Sequence, residues 1–253
     1  MLLVIDVGNT QTVLGLYHEK ALIRRFRVQT DVRRTSDETG VLIGSMFDRA
    51  GITGPVSGAI VSCVVPDTLR NLTRTCRDYF NTDPFIVGPG MRTGMPILAD
   101  NPREVGADRI VNAVAAFDKV QDACIVVDFG TATTFDCISA KGQYLGGVIS
   151  PGYQISAEAL FSKTSKLPRV EVERPRRVIG KNTVHSMQSG LFYGYVSLVD
   201  GMVNRIRAEL GSQARVLATG GLASVLAEAS ETIEEVCEDL TLEGLRLLYE
   251  RSH

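Results

Sequence analysis

The chain has 253 residues, of which 44% are hydrophobic and 22% are charged, and its formal net charge is −2. These values are typical of a globular protein of one or two domains that has no general attraction to nucleic acid or to anionic membranes. The five cysteines include no Cys-x-x-Cys pair, and no apolar stretch suits a signal peptide or a membrane span, so we expect reduced thiols and a cytoplasmic protein.

The first part of the chain alternates predicted strands with predicted helices. Apolar segments predict strands over 2–7, 12–17, 21–28, 58–64 and 85–87. Helical spacing of apolar residues predicts helices over 36–50, 67–80 and 105–120, the first with Ser36 as its N-cap. The segment 88–102 is rich in glycine and proline, which indicates a loop.

The second part of the chain continues the alternation. Strands are predicted over 124–128, 134–139, 144–149 and 215–218, and helices over 155–160, 185–210 and 242–251. Strands that alternate with helices indicate an α/β fold. We predict two domains, residues 1–115 and 116–253, with a ligand cleft between them.

The long helix over 185–210 carries an apolar stripe at helical spacing. Its members are Met187, Leu191, Tyr195 and Leu198. Such a stripe is ordinarily part of a core, although in a dimer it could equally form the interface. His185, near the start of this helix, is expected to have a structural or capping role, because no catalytic or ligand set surrounds it.

Two segments of the chain have the same sequence pattern. Such an internal repeat can indicate the architecture of the whole protein. Residues 3–12 and 125–134 both run an apolar strand into Asp-x-Gly, followed by hydroxyl or amide residues. A spacing of 122 residues separates Asp6 from Asp128, Gly8 from Gly130, Thr12 from Thr134, and the later turn residues Lys20 and Gly142. The agreement over three strands predicts a duplicated unit.

Each Asp-x-Gly turn has the residue types of a phosphate-binding hairpin. Glycine lets the backbone approach an anion, threonine and asparagine can donate hydrogen bonds, and the aspartate can hold a cation that bridges to phosphate oxygens. A single turn of this kind is more often an ordinary Asx-type turn. Two copies, followed by Thr219-Gly220-Gly221 after a further strand, favour phosphate binding. Because the chain contains no Walker motif, ATP would bind through the hairpins.

The segment 100–112 carries a second set of reactive residues. Asp108 and Arg109 fall on the first turn of a predicted helix. A carboxylate there can act as general base for an alcohol, and an arginine can bind a carboxylate or phosphate through two parallel hydrogen bonds. From the residues alone, a second interpretation is equally good: an acidic first turn that complements the helix dipole, with a surface arginine beside it.

The motifs together resemble known families at two levels. The hairpins and the 219–221 turn resemble the phosphate and adenosine elements of the superfamily of sugar and acetate kinases, heat-shock chaperone ATPases and actin. Asn-Pro-x-Glu-Val-Gly-Ala-Asp-Arg at 101–109, with the turns at 6–10 and 128–134, resembles type III pantothenate kinase, and the likeness extends over 146–152 and 180–183. The resemblance implies duplicated ribonuclease H-like, actin-like ATPase domains with a cleft between them.

The resemblance also implies a reaction and its residues. Enzymes of that family phosphorylate the primary hydroxyl of pantothenate with ATP and Mg²⁺, the first step of coenzyme A biosynthesis. It implies the catalytic base at Asp108 and a monovalent cation, potassium or ammonium, at Asp128. It implies pantothenate-binding residues at Ala99, Gly106, Ala107, Asp108, Arg109 and Thr183, the last closing the pocket across a homodimer interface. It implies ATP-binding residues at Asp6, Val7, Gly8, Asn9, Thr10, Gln11, Thr12, Val13, Thr131, Gly220 and Gly221.

Two positions depart from the commonest pattern of that family. Val13 stands where many relatives carry lysine, so one positive charge directed at the phosphates is missing. Ala99 stands where many relatives carry tyrosine, so the pantothenate pocket would lose an aromatic wall. A related branch of the family has a small apolar residue at the second of these positions.

Two other functions stay open at this point. One is a non-catalytic regulator of transcription with the same fold, and the other is a kinase or phosphatase of the same superfamily with a different small substrate. Intact Asp6, Asp108, Arg109 and Asp128 favour the enzyme, because a regulator need not retain a base beside a substrate-binding arginine. The 106–109 segment favours pantothenate over sugars by resemblance alone.

Overall fold

The computed structural model describes residues 1–252, which form two five-stranded sheets and the helices around them. The first sheet contains β1 (Leu2–Val7), β2 (Gln11–His18), β3 (Ala21–Gln29), β4 (Gly58–Cys63) and β5 (Pro84–Ile86) in the order β3-β2-β1-β4-β5. Strands β1 to β3 are antiparallel, whereas β4 and β5 join in parallel after the helices α1 (Ser36–Arg49) and α2 (Pro66–Phe80).

The second sheet repeats this arrangement. It contains β6 (Cys124–Phe129), β7 (Ala132–Ile138), β8 (Tyr144–Pro151), β9 (Arg215–Gly220) and β10 (Glu235–Val236) in the order β8-β7-β6-β9-β10. The remaining helices are α3 (Ala107–Val120), α4 (Tyr153–Ser162), α5 (Thr183–Leu210), α6 (Ala223–Ala227) and α7 (Leu240–Ser252). Because both sheets have the same strand order and directions, the predicted α/β duplication is confirmed.

The prediction that equivalent residues of the two copies are always 122 positions apart is wrong beyond the first turn of each copy. Val7 pairs with Thr12 across the first hairpin, but Phe129 pairs with Thr133 across the second, whose turn is one residue shorter. Thr133 is therefore the structural counterpart of Thr12. Both copies then carry a β-bulge at the same place, where the register shifts between Leu16 and Tyr17 and between Cys137 and Ile138 and leaves an extra residue in β3 and in β8.

The chain packs as two compact units whose residues are not consecutive. The first unit contains residues 1–95, 100–115 and the segment from Thr241 on, and the second contains 96–99 and 116–240. The division into halves at residue 115 stays a prediction. No helix within residues 1–252 combines the length and apolar character needed to cross a bilayer.

The first sheet has a helix on each of its faces. Leu3, Ile5 and Val7 point to one face, where they pack in a buried cluster with Ile43 and Phe47 of α1. The opposite face carries α7, which is held by the Tyr17 hydroxyl donating to Glu243 and by the buried Arg246, which pairs with Glu243 and Glu250. The closing helix was predicted, but its attachment to the first unit was not.

Several boundaries differ from the sequence prediction for local reasons. The N-cap of α1 is Thr35 and not Ser36, because Thr35 and Glu38 form a reciprocal capping box. Helix α3 begins at Ala107 and not at 105, since Pro102–Glu104 forms a separate 3-10 turn. The short elements α6 and β10 were not predicted. In α5, Met187, Leu191 and Tyr195 are buried in the second unit, and Leu198 packs against the same cluster.

Candidate active site

The first hairpin presents an exposed turn on a braced frame. The backbone N–H of Gly8 donates to the carbonyl of Gln11 at 3.0 Å, which closes the turn between β1 and β2. Thr30, just after β3, braces it from the side: its Oγ1 donates to the Gly8 carbonyl at 2.7 Å and its N–H to the Thr10 carbonyl at 3.0 Å. Asn9, Thr10 and Gln11 are exposed, so their backbone and side chains are accessible to an anion.

Asp6 lies at the end of β1, between two neighbouring strands. Val13 on β2 and Ser62 on β4 are its partners in register. Residues paired in register point to the same face of a sheet, so the Ser62 hydroxyl and the Asp6 carboxylate share a face. Asp6 is partly buried and Ser62 is fully buried. Sequence reasoning did not single out Ser62.

The 101–109 segment is a capped entry into helix α3. The Asn101 side chain accepts from the N–H of Arg103 and donates to Glu104, which holds the 3-10 turn. Farther along α3, Asn112 accepts from the Thr241 hydroxyl at 2.7 Å, which ties α3 to the first turn of α7. The predicted base and substrate arginine are thus carried on a helix fixed at several points within the first unit.

Asp108 is a partly buried carboxylate on the first turn of α3. Its Oδ1 accepts from the backbone N–H of Arg109 at 2.9 Å. Burial raises the pKa of the Asp108 carboxyl above the ordinary aspartate value, while the Arg109 N–H and the Arg109 charge oppose that rise. A Cβ at position 106 would lie 2.5 Å from Asp108 Oδ1. Because Gly106 has no side chain, the Asp108 carboxylate can occupy this space.

The second hairpin places Asp128 among oxygen-bearing neighbours. Asp128 pairs in register with Thr134 on β7 and with Thr219 on β9. Gly220 follows with a φ of +92°, and a Cβ there would lie 2.6 Å from Asp128 Oδ1. The absence of side chains at positions 220 and 130 leaves a cradle beside the carboxylate, and carboxylate, hydroxyl and carbonyl oxygens suit a hard cation.

No group of three or more His, Cys, Asp or Glu side chains within residues 1–252 is arranged as a metal cluster. The register partners of Asp128, Thr134 and Thr219, both carry hydroxyl oxygens, which can serve as ligands of a cation beside the carboxylate. The predicted cation ligand is compatible with its surroundings.

A buried carboxylate, which the sequence analysis did not identify, supports the second hairpin. Asp136 on β7 is fully buried and accepts from the Tyr144 hydroxyl at 2.7 Å and from Thr134 Oγ1 at 3.4 Å. The Tyr144 backbone pairs in turn with the strand-like segment before Ala99, through Pro96 and Leu98. The only sign of Asp136 in the sequence is a charged residue inside an apolar strand.

Thr183 is the first residue of α5 and lines an open cavity of about 680 Å³. The N-cap of α5 is Asn182, whose side chain accepts from the His185 N–H at 2.8 Å and lies 3.2 Å from His185 Nδ1, and a structural role for His185 stays a prediction. The cavity wall combines the polar residues Lys181, Asn182, Thr183 and Ser186 with the apolar residues Leu160, Leu167, Met187 and Leu191. Such a mixed wall suits a small molecule with polar ends and an apolar middle.

The predicted site residues therefore divide between the two units. The first unit holds Asp6 to Val13 together with Gly106, Ala107, Asp108 and Arg109. The second unit holds Ala99, Asp128, Thr131, Thr183, Gly220 and Gly221. Within the second unit the structure brings Gly220 against Asp128, and Gly152 at the start of α4 donates its N–H to the Thr131 carbonyl at 3.1 Å.

Solved structures share the fold of this chain. The chain is similar to a Baf family transcriptional activator from Campylobacter jejuni (TM-score 0.61, 17% identity, 99% of this chain and 98% of that chain). It is also similar to an inorganic polyphosphate/ATP-glucomannokinase from Arthrobacter sp. strain KM (TM-score 0.50, 11% identity, 100% and 99%). At these identities the likeness concerns the fold alone.

Sequence comparison gives the particular family. Residues 2–205 match the family model of type III pantothenate kinase. The type III pantothenate kinase of Syntrophotalea carbinolica is 60% identical over 253 residues, which cover 100% of this chain and 99% of that protein. The chain belongs to the type III pantothenate kinase family, and it is a phosphotransferase.

Proposed function

We propose that this protein phosphorylates pantothenate through an in-line attack assisted by Asp108, with cations and the two hairpins holding the phosphates. The reaction itself follows from the family: ATP phosphorylates pantothenate in coenzyme A biosynthesis. The acceptor is the primary hydroxyl of pantothenate, and the product is 4'-phosphopantothenate. The roles of individual residues are our inference.

Asp108 takes the proton from the pantothenate hydroxyl as that hydroxyl attacks the γ-phosphate. The observation that carries this role is a partly buried carboxylate, on a fixed helix, whose pKa burial raises above the ordinary aspartate value. A base with a raised pKa accepts a proton more readily than an ordinary aspartate does. Arg109, the next residue, is suited to bind the carboxylate of pantothenate.

The first hairpin binds the phosphates of ATP. Its exposed turn supplies backbone N–H groups and the hydroxyl of Thr10, while Asp6 holds the magnesium ion that accompanies ATP. Val13 supplies no positive charge here, so the negative charge of the phosphates would be balanced by the cations and by backbone N–H groups. Bound cations offset the charge that builds up on the transferring phosphoryl group.

The second hairpin serves the monovalent cation and the rest of ATP. Asp128 holds potassium or ammonium in the cradle beside Gly220, and Thr131 contacts the ATP phosphates. Gly220 and Gly221 leave a flat backbone surface against the adenosine. The support for these roles is the set of oxygen donors around Asp128 and the space left by the glycines.

The active enzyme is a homodimer in which Thr183 closes the pantothenate pocket of the partner copy. The support is the open cavity at Thr183 and an exposed face of α5 beside it that carries the small residues Gly190 and Gly194. Ala99 lines the same pantothenate pocket and leaves more room there than a tyrosine would.

Turnover of the wild-type protein tests the proposed reaction. The protein is incubated with ATP, Mg²⁺, potassium and pantothenate, and the products are identified by mass spectrometry. We expect one ADP for each pantothenate phosphorylated, and no ADP above background when pantothenate is omitted. A folded protein that releases no phosphopantothenate contradicts the proposal and reopens other small substrates and the regulator.

A further inference from the structure

One buried hydroxyl in the first unit has no protein partner. Ser62, next to the end of β4, is fully buried, and its Oγ makes no hydrogen bond to any residue within the described part of the chain. Nearly all buried polar groups in native proteins are hydrogen-bonded, because an unsatisfied one costs about 1–3 kcal/mol. An alanine or valine would have avoided that cost, so the hydroxyl calls for an explanation.

The position of Ser62 points to a ligand of the first hairpin. Strand β4 runs parallel to β1, and Ser62 lies beside Asp6 in register. The alternate residues Ala59 and Val61 pack in the apolar cluster on the other face of the sheet. Ser62 therefore shares with Asp6 the face that carries α7.

The second unit repeats this juxtaposition. Strand β9 is the counterpart of β4, and Thr219 lies beside Asp128 in register, as Ser62 lies beside Asp6. Thr219 is also buried, with 2% of its surface exposed. Both copies of the fold thus place a buried hydroxyl next to the strand-end aspartate, which a chance serine in one strand would not produce.

We propose that Ser62 is a positioning residue for the Mg²⁺–ATP complex. When Mg²⁺–ATP binds, the Ser62 Oγ–H, which has no partner within residues 1–252, donates to the neighbouring Asp6 carboxylate and holds it toward the magnesium ion. The inference rests on the proposed binding of ATP at the first hairpin.

A pair of variants separates this role from a structural one. Ser62→Ala removes a hydroxyl that has no protein partner. Thr75→Val removes another buried hydroxyl of the same unit, which donates to the carbonyls of Ser36 and Asn71 at 2.9 and 3.0 Å. Thermal unfolding without nucleotide and calorimetric titration with ATP, in Mg²⁺ or in EDTA, are measured for both variants and for the wild type.

We expect Ser62→Ala to unfold within about 1 °C of the wild type or above it, and to bind Mg²⁺–ATP about ten-fold more weakly. Its affinity for ATP in EDTA should equal that of the wild type, because the lost contact runs through the ion. Thr75→Val should show the opposite pattern, with a lower unfolding temperature and unchanged Mg²⁺–ATP affinity. Equal Mg²⁺–ATP affinity of Ser62→Ala and wild type overturns the inference. Failure of the wild type itself to bind Mg²⁺–ATP overturns the proposed function.

Discussion

At the scale of the residue, Asp108 shows how a functional group is held at a cost to stability. Burial raises the pKa of its carboxyl, so the folded protein binds a proton there more tightly than the unfolded chain does. Stability consequently falls as the pH rises through the window between the ordinary aspartate pKa and the raised one. Above that window the full cost of the buried charge is present.

We expect Asp108→Asn to unfold about 2 °C or more above the wild type at pH 7.5, because the uncharged amide avoids this cost and its Oδ1 can still accept from the Arg109 N–H. Below the ordinary aspartate pKa of about 3.9 the two proteins should converge. Calorimetric melts across the pH range provide the measurement. A variant less stable than the wild type at pH 7.5 would show that the charge stabilises the fold.

Gly220 offers a second prediction at this scale, with its neighbour as the control. A side chain at 220 would meet Asp128 and the Phe129 backbone within 2.7 Å, at a φ of +92° that side chains rarely adopt, whereas position 221 faces open space. We expect Gly220→Ala to lower the free energy of unfolding by about 2 kcal/mol or more and Gly221→Ala to leave it unchanged. Denaturant titration of both variants measures this, and equal stabilities would be inconsistent with the strained turn.

At the scale of the element, the two hairpins show what a repeated motif can predict. The Asp-x-Gly pattern predicted two equivalent strand–turn–strand elements, and the shared strand order confirms them. The pattern could not reveal that the second turn is one residue shorter, because Thr133 and Thr134 are both threonines and align equally well by type. Only the pairing register shows that Thr134 is the partner of Asp128 in the second hairpin. In the first hairpin, the corresponding partner of Asp6 is Val13.

This difference between the hairpins supports their unequal roles. The second hairpin gives Asp128 hydroxyl neighbours on both sides, whereas the first gives Asp6 one, so a cation site needing several oxygens is expected in the second. We expect Asp128→Ala to abolish stimulation by potassium, measured as ADP release with and without the ion. Asp122→Ala, an exposed charge just before β6, is the control and should be stimulated like the wild type. Undiminished stimulation of Asp128→Ala would remove this residue as the ligand.

At the scale of the whole molecule, the chain's elements were more predictable than their assembly. The long strands could be predicted from their apolar segments and the long helices from the spacing of their apolar residues. The packing of α7 on the first unit could not, since it depends on contacts such as Arg246 with Tyr17, more than two hundred residues apart. For the same reason the sequence did not identify Ser62 and Asp136 as site residues. Their roles depend on contacts with residues of other strands or on strand pairing.

Assembly into a dimer is the prediction that belongs to this scale. Gly190 and Gly194 on α5 face open space beside the strongly exposed Val178 and Ile179. A charged side chain there should block the close approach of a second copy. We expect Gly190→Glu to be monomeric by light scattering and to have a raised KM for pantothenate.

The matched control is Gly44→Glu, a helical glycine of α1 that also faces open space. It should keep both the dimer and the KM of the wild type. If Gly190→Glu stays dimeric, the interface lies elsewhere on the molecule. If it is monomeric with unchanged KM, Thr183 does not act across the interface.

The central claim is that Asp108 is the base for phosphorylation of pantothenate. It is tested most directly by the rate of pantothenate-dependent ADP release of Asp108→Asn, compared with the wild type and with Asp118→Asn, an exposed aspartate on the same helix. We predict a loss of about 100-fold or more in kcat for Asp108→Asn, with wild-type folding, and no loss for Asp118→Asn. Turnover of folded Asp108→Asn close to that of the wild type would contradict the account.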